Sequence, residues 1–119
     1  QGTPGYCAPE YASTNRATEA CEVYSMGMVI LEFLTGRMPA EAGQDGQTFK
    51  FLLADVRPDL EGAPERVLDM LDARALWPRH SALALAEFAV MCVEDEPKRR
   101  PTFLEMVGVL QNLVLSSRP

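Results

Sequence analysis

Glu22-Val23-Tyr24-Ser25-Met26-Gly27-Met28-Val29-Ile30-Leu31-Glu32-Phe33-Leu34-Thr35-Gly36 is the stretch that decides how this chain folds. Val23, Tyr24, Met26, Met28, Val29, Ile30, Leu31, Phe33 and Leu34 fall on every side of a helical wheel. The span 22–35 is long for a strand, and Met and Leu favour helix. Gly36 supplies the stop, with Arg37 and Pro39 behind it. A helix that is apolar all round must be covered on all sides. In a chain of 119 residues, that demands a shell of other elements around one axis.

Working outward, residues 1–21 lack helical periodicity. Gly2, Pro4, Gly5 and Pro9, then Ser13-Thr14-Asn15-Arg16, read as irregular chain with one turn of helix after Pro9. Residues 40–47 read as a loop. A short helix is predicted over 48–56, with Phe49, Leu52, Leu53 and Val56 on one face. Pro58, Gly62 and Pro64 break it. A second short helix is predicted over 65–71, with Val67, Leu68 and Leu71 inward and Pro64 suited to its first turn. Leu76-Trp77-Pro78 is a loop with a large apolar anchor. Residues 81–93 read as a helix with Leu85, Phe88, Ala89 and Cys92 on one stripe. After the charged loop 94–101, Thr102 and Glu105 have the spacing of a capping box. Phe103, Met106, Val107, Leu110, Leu113 and Val114 then repeat at three and four residues. The expected fold class is all-α with long connections and no strand assigned: a buried central helix over 22–35, surrounded by shorter helices.

Apolar residues make up 47% and charged residues 24%, as in a folded protein. Asp and Glu number 17 against 11 Lys and Arg, a net charge of −6. That balance argues against nucleic acid or an anionic membrane surface as the partner. The longest strongly apolar run, Val23 to Leu31, is too short to cross a bilayer, so no membrane span is expected. Residues 1–10 have neither a basic start nor an apolar run, so no signal peptide is expected there. Cys7, Cys21 and Cys92 are odd in number and lack metal or redox spacing. They read as reduced thiols of an intracellular protein. His80, the single histidine, has no Ser or Cys nucleophile arranged around it and reads as a solvated residue at a helix start. Gly43-Gln44-Asp45-Gly46 lacks the spacing of an EF-hand or a P-loop. No metal and no cofactor is therefore expected on this chain.

One string carries more specific information. Gly2-Thr3-Pro4-Gly5-Tyr6-Cys7-Ala8-Pro9-Glu10-Tyr11 resembles the end of a protein kinase activation segment, whose closing signature is Ala-Pro-Glu. Three further strings follow in the family's order. They are Glu22-Val23-Tyr24-Ser25-Met26-Gly27 with its exit through Leu34-Thr35-Gly36-Arg37-Met38-Pro39, then Met70-Leu71-Asp72-Ala73-Arg74 with Leu76-Trp77-Pro78, then Ala89-Val90-Met91-Cys92 with Pro97-Lys98-Arg99-Arg100-Pro101. Over residues 2 to about 114 the chain resembles the protein kinase superfamily. It is most similar to the receptor-like, Pelle-type Ser/Thr kinases of the tyrosine-kinase-like group.

The resemblance implies that 1–119 is a partial kinase domain, the helical distal part of the C-lobe from the end of the activation segment to the last helix. It implies a parent Ser/Thr protein kinase that transfers phosphate from ATP with Mg as its cofactor. Carried over residue by residue, Glu10 pairs with Arg100 as a structural clamp. A guanidinium holds a carboxylate in two-pronged fashion, which Lys cannot do. Without the resemblance, Glu10 and Arg100 read as two solvated charges. Thr3, Gly5 and Tyr6 belong by the same carry-over to the substrate platform, and Thr3 favours Ser/Thr over Tyr as the acceptor; taken alone, Thr3 reads as a turn residue. Tyr6 and Tyr11 read as packing residues in preference to phosphorylation sites. Glu22 stands where the family has an aspartate that anchors the central helix to the catalytic loop. Its charge suits a helix N-terminus, but it is one methylene longer.

A kinase also needs a glycine-rich loop, a strand lysine, a catalytic aspartate and metal-holding Asn and Asp residues. The sequence contains no G-x-G-x-x-G, no V-A-I-K-like strand, no H-R-D and no D-F-G. The expectation is a chain with substrate platform and scaffold but without ATP-binding or catalytic residues, inactive alone. Its expected partners are a protein or peptide substrate and the kinase N-lobe and catalytic loop. Its expected place is intracellular and cytoplasmic, or the cytoplasmic side of a membrane for a receptor-like parent. The alternative is a stand-alone pseudokinase-like interaction module, working through 48–56 and 65–71. That reading needs a polar face on the central helix, and residues 23–34 show the opposite. One bare side of that helix is expected, larger than monomers tolerate.

Overall fold

The computed structural model describes residues 6–57 and 62–116. Among the described residues the longest element is one helix. That helix, α2, spans Glu19–Thr35. It opens one turn earlier than the apolar run suggests, because the Thr18 hydroxyl accepts the backbone N–H of Cys21 at 3.1 Å and caps it. It closes at Gly36, whose φ of 69° lets its N–H reach the Glu32 carbonyl at 2.8 Å. The preceding helix α1, Pro9–Thr14, begins with proline in its first turn and ends on Asn15 in the left-handed region.

The expected helix over 48–56 is corrected. Strand β1, Ala40–Ala42, pairs antiparallel with β2, Phe49–Phe51, in the register Ala40↔Phe51, Glu41↔Lys50, Ala42↔Phe49. Only then does the chain coil into α3, Leu52–Val56. Phe49-Lys50-Phe51 alternates with period two, which is the strand period. The tip of the hairpin supplies the rest. Asp45 accepts the N–H groups of Gln47 and Thr48 and the Thr48 hydroxyl, and Gly46 takes a φ of 72°. Among the described residues the fold is thus mostly helical, as expected, with one short two-stranded sheet. The loop predicted over 40–47 holds only from Gly43 onward.

Helix α4, Ala63–Asp69, packs against α5, Arg79–Cys92, and α5 lies along α2. The two are in tight contact at Gly27. A Cβ there would stand 2.5 Å from the Cys92 Cβ and 2.9 Å from a Val93 methyl. Glycine is what lets the two helices touch. Helix α6, Phe103–Ser116, starts from the expected capping box: Thr102 N–H donates to the Glu105 carboxylate at 2.9 Å, and Glu105 N–H donates to the Thr102 hydroxyl at 3.1 Å.

The core lies on one side of α2. Val23, Leu31 and Leu34 are fully buried, with Met28, Tyr24 and Cys21 beside them. Leu52, Val56, Ala63, Val67 and the small side of α5 (Ala82, Ala86, Ala89) close over them. A second cluster joins Val23, Phe88 and Cys92 to Met106 of α6. The axis is not covered all round. Met26 is 41% and Phe33 69% exposed, on the stripe that also carries Glu22. Spacing of four and seven residues puts these three on one line along the helix.

Candidate functional site: the Arg100 hub and the Tyr6 wall

Arg100 follows the short 3-10 turn Pro97–Arg99 and precedes Pro101, in a segment whose backbone carbonyls turn inward. Its side chain is fully buried. A buried guanidinium must place five N–H donors or pay heavily in lost hydration. Arg100 places all five. Nη1 donates to Glu10 Oε2 at 2.6 Å and to the Ala20 carbonyl at 3.0 Å. Nη2 donates to Glu10 Oε1 at 2.9 Å and to the Asp95 carbonyl at 3.3 Å. Nε donates to the Glu94 carbonyl at 2.8 Å. The guanidinium carbon also lies 5.0 Å from the centre of the Tyr24 ring, within cation–π range. Four stretches of chain meet at one side chain: α1, the start of α2, the Glu94–Asp95 loop and Arg100 itself.

Glu10 feels this directly. The hydrogen bond from Arg100 holds its carboxyl down at about 2, well below the ordinary carboxylate range, although partial burial pushes the other way. The Cys21 thiol also donates to Glu10 Oε2 at 3.2 Å. Tyr24 moves up, chiefly through burial. Cys92 is pushed up to about 12 by burial, so it is an inert thiol of the core.

The residues just before α1 are held to α2 at two points. The Ser25 hydroxyl donates to the Tyr6 backbone carbonyl at 2.7 Å. The Tyr6 hydroxyl donates to Glu32, which is the first cause of its raised pKa. Ser25 and Glu32 are seven residues apart, two helical turns, so both look out on the same side of α2. Thr3 and Gly5 lie outside the described residues. Glu22 is exposed in the first turns of α2, and its carboxylate makes no hydrogen bond among the described residues. The arrangement brings Glu10 and Arg100 together and sets Tyr6 against α2; it does not bring Glu22 to either.

Spacing in the sequence marks no backbone acceptor, so the roles of Ala20, Glu94 and Asp95 were not legible there. Ser25 and Glu32 carry a faint signal, two polar residues seven apart in an apolar helix. Among the described residues no group of His, Cys, Asp and Glu could hold a metal ion. No helix among them is long and apolar enough to cross a membrane.

Comparison with known proteins converges on one family. The profile described as "Protein kinase domain" matches residues 1–110. "Probable serine/threonine-protein kinase PBL18" of Arabidopsis thaliana is 36% identical over 119 residues, covering 98% of this chain and 30% of its own length. "LRR receptor-like serine/threonine-protein kinase GSO2" of the same plant is 36% identical over 118 residues, covering 94% of this chain and 9% of its own. A third Arabidopsis relative, "Probably inactive leucine-rich repeat receptor-like protein kinase At3g28040", is 38% identical over 114 residues, with 93% and 11% covered. The chain spans less than a third of the length of these relatives. With an Ala-Pro-Glu glutamate tied to the arginine of an Arg-Pro pair and a profile match over most of its length, this chain belongs to the protein kinase domain family, alongside the receptor-like Ser/Thr kinases.

Proposed function

We propose that these 119 residues are the substrate platform and helical scaffold of a Ser/Thr protein kinase, and that they do not transfer phosphate by themselves. The observation that carries this reading is the five-donor seat of Arg100, which fastens Glu10 of Ala8-Pro9-Glu10 to the α2–α5 body. Such a clamp has a purpose in peptide recognition. A segment that must receive a substrate has to stay in place without a sheet or a core of its own. Here Glu10 fixes one end of that segment and Tyr6 the other; Thr3 and Gly5 are assigned to the platform by the family resemblance alone. Thr3 assigns Ser or Thr as the acceptor.

In this reading ATP and Mg belong to the whole kinase. Their phosphate loop, lysine, catalytic aspartate and metal ligands have no counterpart motif in this sequence. Glu22 and the bare stripe of Met26 and Phe33 are the surface on which the catalytic-loop part of the kinase rests. The protein works inside the cell, in the cytoplasm or beneath a membrane.

Two experiments test the reading. The chain incubated with labelled ATP, Mg and generic peptide substrates transfers no label above a Thr3→Val, Glu22→Ala control; reproducible transfer refutes the claim of inactivity. Replacing the matching stretch of an active receptor-like relative by residues 1–119 yields a kinase that phosphorylates Ser and Thr in peptides. Loss of that activity on introducing Arg100→Ala supports the clamp. A folded chimera that labels only Tyr contradicts the assignment of the acceptor.

A further inference from the structure

Helix α6 is held to the body along one line and bare along another. Met106 is buried against Val23, Phe88 and Cys92, with Val109 partly covered beside it. On the opposite side of the helix, Leu104, Val107, Gln111 and Leu115 repeat at three, four and four residues and so form one stripe. All four are exposed, Leu104 at 83% and Leu115 at 61%, and the exposed Leu110 flanks them. The aliphatic side chains here open roughly 400 Å² to water, which is a large patch for a monomer and about the apolar share that each partner brings to a standard interface.

Charge and polarity say what fits this face. Two copies of a chain at −6 repel wherever their charges meet. The stripe has no charge. Glu105 is the one charged residue of α6, and it lies off the stripe with its carboxylate engaged by the Thr102 N–H. The bare stripe of α2 differs, because Glu22 stands in line with Met26 and Phe33 and a second copy there would set like charges together. Gln111 is the one polar residue of the α6 stripe, and its side-chain amide makes no hydrogen bond among the described residues. An amide carries both donor and acceptor, so it is its own complement across a two-fold axis. A single polar residue in an apolar helix seam fixes register.

We propose that α6 is a self-association face, on which two copies of this chain pair α6 against α6 about a two-fold axis beside Gln111. The bodies then lie on the outer sides of the pair, since Met106 and Val109 face away from the stripe. The proposal does not depend on the platform reading, which uses Glu10 and Tyr6. Burying Leu104 of both copies is worth about tenfold or more in affinity.

Sedimentation equilibrium of the 119-residue chain tests it. The wild type is expected to follow a reversible monomer–dimer equilibrium. Leu104→Glu raises the dimer dissociation constant by at least about tenfold, since two carboxylates would meet at the stripe. An acid in the first turn of α6 suits a helix N-terminus, so this variant is expected to fold. Leu115→Ser weakens the dimer by about tenfold, and Phe33→Ser on α2 leaves it unchanged. Mild oxidation of Gln111→Cys is expected to give a cross-linked pair that the wild type, with its own three thiols, does not give. A wild type that stays monomeric at high concentration, as it would if α6 took a different partner, overturns the proposal. So do association that survives Leu104→Glu, equal loss with Phe33→Ser, and a dimer in which Gln111→Cys fails to cross-link.

Discussion

Arg74 and Arg100 both grip a carboxylate with the fork of the guanidinium, yet their surroundings are opposite. Arg74 holds Asp72 at 3.0 and 3.1 Å with its side chain 85% exposed. Arg100 holds Glu10 at 2.6 and 2.9 Å with its side chain sealed from water. The first pair is two residues apart and closes a local turn. The second spans 90 residues and joins both ends of the chain. Both grips are two-pronged, so the fork alone does not separate them. Water does. In water an ion pair competes with solvation that is almost as good. Inside, the charge has no alternative partner, and losing the pair strands whatever remains.

The largest effect expected from that difference is on Arg100→Ala. It leaves Glu10 beside a cavity and unties three carbonyls, at a cost of about 3–5 kcal/mol. The thermal midpoint should fall by at least about 10 °C. An unchanged midpoint would put the hub on a par with Arg74 and break the contrast. Gly27→Ala sharpens it from another side. Its methyl would collide with Cys92 and Val93, for about 1–3 kcal/mol of overpacking. That loss carries no charge, so it should shift stability without altering its acid dependence.

Acid dependence is the third expectation. Glu10 has a folded pKa of about 2 against an ordinary 4.5. A carboxyl depressed in the folded state stabilises fully above its unfolded value. That stability fades as pH falls from about 4.5 to about 2. With a carboxylate 24% exposed, solvent screening brings the contribution to about 2 kcal/mol. Unfolding followed over this window should show the acid limb in the wild type and its loss in Glu10→Gln. The smallest effect belongs to Arg74→Ala, whose unfolding midpoint should coincide with that of the wild type.

Parts of this picture could be read from the sequence because local chemistry fixes them. Thr102 and Glu105 form their capping box wherever the helix goes, and Gly36 ends α2 because only glycine takes that backbone conformation easily. The hairpin escaped because Phe49, Leu52, Leu53 and Val56 repeat at helical spacing, while the partner strand, Ala-Glu-Ala, has no strand character of its own. Pairing across the hairpin outweighed that periodicity. The pairing of Glu10 with Arg100 came from the family resemblance, and nothing in the spacing alone would have joined them. The carbonyls of Ala20, Glu94 and Asp95 that complete the hub have no side-chain signature at all. The exposure of Met26 and Phe33 was foreseeable in kind, since a wholly apolar axis in so short a chain lacks the material to cover itself.

A double-mutant cycle between Glu10→Gln and Arg100→Ala, read by denaturant unfolding, tests the clamp most directly. A coupling free energy of at least about 2 kcal/mol is predicted, near the upper end for residues in direct contact. Additive losses, with a coupling near zero, would contradict it.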